Sequence, residues 1–469
     1  MEASSTSPWH VHVVAMPYPA RGHINPMMNL CKLLVSNNAP IFVTFVLTEE
    51  WLGFIGSESD TQPHNIRLRS IPNVVPSELT RKNDQLGFMK ALMTKMEAPF
   101  EELLNRLEPP PTIILADTFL YWVVLLGNRR NIPVASFWTM SASIFSLFHH
   151  YHLLQLNSHY PVNLSEHGDK RVDYIPGISS IRLVDIPLTD GSWYTREILK
   201  LCLNGFAWVS KAQYLLFTSI YELEPEAIDA LKAELSVPIY TIGPAIPYFS
   251  LENNPTLSTT KGTSHSYMEW LDAQPFGSVL YISQGSRFSV SIAQTDEIAF
   301  ALRESGIRFL WVARDEASRL KEICGNMGLV VSWCDQLRVL SHPSIGAFWS
   351  HCGWNSTKEG VFAGVPFLTF PLAIDQPIDS KMIVEDWKIG WRVKEAAEVN
   401  TLIKKDEITM LVQKILDLDN ELARKVRERS KILQQTCHRA ITNGGSAVTD
   451  LNAFVRDLMQ TNNDAVNTP

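Results

Sequence analysis

The stretch HCGWNSTKEG, residues 351–360, lies between an apolar run, IGAFWSH, and a run with helical character, STKEGVFAGV. The first reads as a buried strand and the second as a helix. HCGWNS is therefore a strand-to-helix turn, and that reading places it in an α/β sheet. Its glycine lets the backbone pass tightly, and the free N–H groups at the helix start face the strand's C-terminal end. Such a turn suits anions, phosphate above all. Ser356 can add a hydroxyl donor and His351 a ring N–H. The plain alternative is a turn that only packs. A Cys352 nucleophile has no activating base, because its neighbour on a strand points to the opposite face. Asn355-Ser356-Thr357 is a glycosylation sequon, as is the one at Asn163, but a sequon matters only in an exported chain. A zinc site needs three or four ligands, and HHYH at 149–152 offers them at no familiar spacing. Those histidines are expected on a solvated helix.

Outward from the turn, the same pattern repeats. The pattern of the first half opens at residue 11 with VHVVAM, a Pro/Gly loop PYPARGH, and INPMMNLCKLLVSN, whose apolar residues recur at three and four. IFVTFVL (41–47), NIRLRSI (65–71), TIILAD (112–117), IPVASFW (132–138) and YLLFTS (214–219) follow as continuous apolar runs. Runs of this kind are expected of parallel strands buried on both faces. Residues 250–266, SLENNPTLSTTKGTSHS, are polar and read as a linker. The second half restarts with SVLYIS (278–283) and continues through RFLWVAR, GLVVSW, IGAFWSH and VPFLTFP. The expectation is α/β, with two facing Rossmann-like domains and a cleft between their parallel sheets. Residues 1–249 form the first domain and 267–469 the second. The tail SAVTDLNAFVRDLMQ has a helical period and can pack back on either domain.

Composition narrows the function. The chain has 469 residues, too many for one ordinary core. With 45% hydrophobic and 19% charged residues it is globular rather than disordered. A net charge of −8 with no basic run argues against nucleic acid. The N-terminus MEASSTSPWH has no positive n-region, and the apolar run GVFAGVPFLTFPLAI at 360–374 is cut by Gly and Pro. The 6 scattered cysteines contain no CxxC and suit a reducing compartment. A cytoplasmic protein without obligate membrane attachment is expected, and a monomer.

The 44 residues from Trp333 to Gln376 resemble the donor-binding box of plant UDP-dependent glycosyltransferases of family 1. Trp at the start, Gln at the fourth place, the HCGWNS turn, a Glu three residues after it and a terminal Asp-Gln all match. PYPARGHINPM resembles that family's catalytic loop, TIILADTF the strand with its acidic partner, VLYISQGS its second phosphate loop, and NGGSAVTDLNAF its last segment. The resemblance implies a GT-B fold. It also implies inverting, metal-independent sugar transfer from UDP-sugar to a small lipophilic acceptor, with no cofactor besides the co-substrate. Trp333 would stack on uracil beside Cys334, while Gln336 and Glu359 would bind the ribose. His351, Gly353, Asn355, Ser356 and Ser286 would hold the diphosphate. Asp375 and Gln376 would grip the sugar with Trp354 nearby, and a terminal Gln points to glucose in this family.

An aromatic platform for a base and a carboxylate for a diol are sensible pairings. His23 is expected in the loop after the first strand, where such sheets place ligands. An imidazole with its ordinary pKa of about 6.5 suits a general base. Asp117 ends a later strand and could fix the ring's tautomer. An acceptor pocket should be apolar, with Phe88, Phe119, Leu120, Trp138 and Met140 as candidates or as plain core. The chain departs from the family pattern at Gln284, where Phe is usual, at Lys358, where an aliphatic residue is usual, and at Leu372-Ala373-Ile374 before Asp375. A non-catalytic nucleotide-sugar sensor is the competing reading, although both His23 and Asp117 are present. A nicotinamide oxidoreductase would want G-x-G-x-x-G after the first strand, where this chain has PYPARGH.

Overall fold

The computed structural model describes residues 10–36, 40–56, 63–81, 84–249, 251, 264–285, 290–314, 316–394 and 401–467. Within them the chain builds two parallel sheets. The first has seven strands: β1 (Val11–Met16), β2 (Ile41–Thr48), β3 (Ile66–Ile71), β4 (Ile113–Asp117), β5 (Val134–Trp138), β8 (Tyr214–Phe217) and β9 (Ile239–Thr241). Their spatial order is β3-β2-β1-β4-β5-β8-β9, every pairing parallel. The second has six strands, ordered β12 (Gly328–Val331), β11 (Arg308–Val312), β10 (Val279–Ser283), β13 (Ile345–Ser350), β14 (Phe367–Thr369) and β15 (Gly390–Arg392), again all parallel. A two-residue pair, β6 (Arg171–Val172) with β7 (Ile181–Arg182), stands apart and is antiparallel.

The central strands β1, β4, β5, β10 and β13 are buried along their whole length. Helices cover both sheet faces, which is why these strands read as unbroken apolar runs rather than alternating ones. Strand order reverses between β1 and β4 in the first sheet and between β10 and β13 in the second. In open α/β sheets the C-terminal ends of strands at such a reversal form the ligand crevice. His23 follows β1 and Asp117 ends β4. Gln284 and Gly285 follow β10, and the HCGWNS turn follows β13. Both reversals thus carry the predicted site residues.

Three details differ from the sequence reading. His23 is not in a loop: it is the third residue of the helix Arg21–Ser36, because Ala20 O already accepts from the His23 and Ile24 N–H groups at 2.9 Å. The histidines at 149–152 do not share a solvated face. His150 is buried, His149 is half-buried and only His152 is exposed. Within 250–266, residues 250 and 252–263 lie outside the described residues, and Ser264 already opens the helix Ser264–Asp272.

The last helix, Ser446–Asn467, crosses back to the first sheet. Leu451, Phe454 and Leu458 are buried in the core that holds β1 and β2. Phe454 packs against Tyr214 and Tyr240 at ring separations of 5.5 and 5.7 Å. Asp450 accepts from the Thr241 N–H at 2.8 Å and from its hydroxyl at 2.7 Å, and Asp457 accepts from the Tyr240 hydroxyl. Among the described residues no helix is long and apolar enough to cross a membrane. All six cysteines are buried free thiols.

Candidate active site

His23 and Asp117 meet at the first reversal. His23 Nδ1 stands 2.7 Å from Asp117 Oδ2. A carboxylate only accepts, so Nδ1 carries the hydrogen and Nε2 keeps its lone pair. Thr139 Oγ1 lies 3.0 Å from the same Nδ1, and the Phe119 N–H donates to Asp117 Oδ1 at 3.1 Å. Asp117 is 2% exposed and His23 16%, so a closed-in carboxylate orients a ring that reaches the opening. Nε2 meets no hydrogen-bond partner among the described residues. Tyr18 lies 4.8 Å from the imidazole, centroid to centroid, on one side and Phe119 lies 6.3 Å away, edge-on. The sequence reading does not reach Thr139 or Tyr18. Thr139 is findable, since it follows the strand beside the one that ends in Asp117.

The second reversal holds the HCGWNS turn. Gly353 caps the helix Trp354–Ala363 with no side-chain cap, so the first N–H groups of that helix have no side-chain acceptor at the cap. Cys352 sits at φ 65, which turns the chain sharply between strand and helix. His351 fills the space between the two loops. A Cβ on Gly285 or on Gly353 would come within 2.6 Å of His351 Nε2, so both positions need glycine. Burial pushes the His351 imidazole down to about 4, which leaves it neutral at pH 7 with one N–H to donate. Three buried polar atoms around this turn have no partner among the described residues: His351 Nδ1, Gln284 Nε2 and Asn355 Oδ1. Orphans are rare in a packed protein, and these three, His351 and Asn355 at the helix start and Gln284 just after β10, make the turn a candidate ligand seat. Ser286 lies outside the described residues.

Across the cleft, Asn355 Nδ2 donates to Gly22 O at 2.8 Å, which sets the turn directly against the His23 helix. Behind the turn, the Tyr281 hydroxyl donates to Gln336 Oε1 at 3.0 Å. Gln336 Nε2 in turn donates to Ser356 Oγ at 2.9 Å and to Glu359 Oε2 at 2.6 Å. Burial raises the Glu359 carboxyl to about 7, partly offset by the Gln336 hydrogen bond. Trp333 is 55% exposed, an indole face open to stacking. Gln376 Oε1 accepts from the Leu372 and Ala373 N–H groups at 2.8 and 3.0 Å, which shapes the loop before Asp375. Ile374, at φ 61, makes the bend.

Two predicted donor residues have buried side chains. Trp354 is buried among N-terminal core residues, and its indole N–H is donated to Thr218 O at 3.0 Å. Its side chain joins the two halves and is not open to a sugar. Cys334 is buried with its thiol 3.4 Å from the Tyr281 hydroxyl, and burial pushes that thiol up to about 12. Only its backbone can serve a ligand. Of the acceptor candidates, Phe119 is part-exposed and bridges His23 to Trp138, at ring separations of 6.3 and 5.3 Å. Phe88 lies 6.0 Å from Tyr18. Leu120 is fully enclosed core, while Met140 is buried next to Thr139.

Lys358 and Asp379 make a second departure visible. Lys358 is buried with Nζ unpaired, 6.0 Å from the Trp354 ring, and burial lowers its ammonium to about 7. Burial also raises Asp379, whose Oδ1 accepts from Ser141 across the domains at 3.0 Å. Glu224 closes this group from the N-terminal side. It accepts from the Ala142 and Ser143 N–H groups at 3.0 and 2.8 Å, at the start of the helix Ala142–His149.

Comparison with known proteins identifies the family and the fold. A family profile described as UDP-glucoronosyl and UDP-glucosyl transferase matches residues 256–406. UDP-glycosyltransferase 87A1 of Arabidopsis thaliana is 48% identical over 445 residues, covering 94% of this chain and 99% of that protein. UDP-glycosyltransferase 87A2 of the same plant is 49% identical over 456 residues, covering 96% and 97%. Among solved structures, Os79 from O. sativa in complex with U2F and trichothecene superposes with a TM-score of 0.80 at 25% identity, over 95% of this chain and 100% of that one. Near-complete coverage at such identity, with two parallel sheets meeting at their strand reversals, has one conclusion: the chain belongs to the plant UDP-glycosyltransferase family and is a UDP-sugar-dependent glycosyltransferase of GT-B fold.

Proposed function

We propose that the enzyme transfers glucose from UDP-glucose to a hydroxyl or carboxyl group of a small lipophilic acceptor, with inversion and without a metal ion in the reaction. The observation that carries this reading is the 2.7 Å contact between His23 Nδ1 and Asp117 Oδ2. It leaves Nε2 as the proton acceptor. As the acceptor oxygen attacks the anomeric carbon, Nε2 takes its proton, and the Asp117 carboxylate stabilises the imidazolium that forms. The C–O bond to UDP breaks on the opposite face, so the configuration inverts. The leaving diphosphate gathers negative charge. The N–H groups at the start of Trp354–Ala363, with His351, Asn355 and Ser356, receive it as preorganised donors, and the resemblance assigns Ser286 to the same diphosphate. Trp333 stacks on the uracil, Gln336 and Glu359 hold the ribose, and Asp375 with Gln376 holds the sugar. Tyr18 and Phe119 supply the apolar walls next to the base. Six buried thiols suit a reducing cytoplasm, where the enzyme acts as a monomer.

The test offers UDP-glucose, UDP-galactose and UDP-glucuronate with a panel of phenols, terpenoids and hydrophobic acids. Product mass and anomeric configuration are then read by mass spectrometry and NMR. A β-glucoside, formed fastest from UDP-glucose, is the expected product. A product of retained configuration, or a clear preference for another donor, contradicts the proposal.

A further inference from the structure

At the far end of the helix Ala142–His149, away from the cleft, a second cluster collects. That helix and Pro225–Glu234 pack together, and both end there. His149 Nε2 lies 3.5 Å and His150 Nε2 lies 2.7 Å from the same oxygen, Glu234 Oε2. Eight residues at a rise of about 1.5 Å separate this cluster from the Ser141 end by about 12 Å, so it is not part of the transfer site.

The hydrogens around His150 can be assigned. Pro176 O only accepts, so Ser146 Oγ gives its one hydrogen to it, at 2.6 Å. Ser146 O also only accepts, and it stands 2.8 Å from His150 Nδ1. Nδ1 therefore carries a hydrogen, shared with Ser146 Oγ at 3.1 Å. A neutral His150 then turns the lone pair of Nε2 toward a carboxylate oxygen that also carries lone pairs. The junction needs a positive charge. His149 brings a second ring nitrogen to the same place, and all three ligand atoms lie within 4.8 Å of one another.

We propose that His149, His150 and Glu234 bind one divalent cation of the zinc class. Two imidazole nitrogens and one carboxylate oxygen form a donor set that suits Zn²⁺ and its borderline first-row neighbours rather than Mg²⁺ or Ca²⁺. The backbone carbonyl on His150 Nδ1 is the kind of outer contact that fixes a ligating histidine's tautomer. Both helices present their C-terminal, negative ends to the site, which favours a cation there. The ion joins the ends of two helices whose starts carry Ser143 and Glu224, so its role is to stiffen the N-terminal domain behind the cleft. The competing source of positive charge is a proton on His150, and the two are separable.

The full-length protein, treated with a chelator and dialysed, is titrated with ZnCl₂ by calorimetry at pH 7.5, with His149→Gln and Glu234→Gln alongside. Wild type binds one equivalent and gains thermal stability with Zn²⁺ but not with Mg²⁺. Each variant lacks one of the three direct ligands and binds at least about a hundred-fold more weakly, since losing an outer contact alone costs about ten- to a hundred-fold. Glu234 is 42% exposed, so its variant keeps the fold even where the His149 variant does not. No saturable binding, or equal binding by wild type and Glu234→Gln, overturns the site and leaves the protonated His150 as the explanation.

Discussion

Glu359 holds its proton higher on the pH scale than a free glutamate, because folding buries it behind the Trp354 turn. Between the ordinary value of 4.5 and about 7, the folded state keeps a proton that the unfolded chain has released. Stability therefore falls as pH rises through that window, and the penalty is complete above it. The substitution Glu359→Gln keeps an acceptor oxygen for Gln336 and leaves nothing there to titrate. That variant should thus unfold with a flatter pH dependence, its gain over wild type larger at pH 7.5 than at pH 5. Parallel melting curves across that range would contradict the assignment. The HCGWNS stretch was legible as a strand-to-helix turn because a buried apolar strand, Ile345–Ser350, runs into it and the helix Trp354–Ala363 leaves it. What the Trp354 side chain touches was not legible, because its partner, Thr218 O, comes from 136 residues away.

At the level of elements, the strands were legible where burial on both faces forces a continuous apolar run. β9 and β15 were not. Each is three residues long, as is β14, which was legible because VPFLTFP extends it as a continuous apolar run. The start of the His23 helix was placed late because Arg21 and Gly22 carry no apolar period. The last helix shows what a periodic face implies. Its buried side is held by Phe454 at 2% exposure against Tyr214 and Tyr240. Truncating a buried phenylalanine costs about 3–5 kcal/mol. Phe454→Ala should lower the urea midpoint accordingly and destabilise the first sheet, although residue 454 lies far beyond it in sequence. An unchanged midpoint would mean that the helix does not dock in solution.

The whole molecule depends on how its two sheets face each other, and no local pattern in the sequence reports that. Asn355 to Gly22, Ser141 to Asp379 and Trp354 to Thr218 are each single hydrogen bonds across the domains. Trp354→Phe keeps an aromatic ring but leaves the fully buried Thr218 without its donor. A loss of about 1–3 kcal/mol is expected from that orphaned carbonyl, together with weaker UDP-sugar turnover as the facing loops lose register. Urea unfolding followed by steady-state kinetics checks both. Full stability with full turnover would remove Trp354 from the domain contact.

The central claim is that His23, set by Asp117 across from the phosphate turn, takes the acceptor's proton. The most direct measurement compares wild type with His23→Ala, reading turnover of UDP-glucose with a competent acceptor and UDP affinity by calorimetry on the same preparations. Loss of a positioned general base costs about 10²- to 10⁴-fold in rate. The account predicts a fall of that size with UDP affinity unchanged, since no diphosphate contact is assigned to His23. Turnover close to wild type would contradict it and leave the dyad as a structural pair at a helix start.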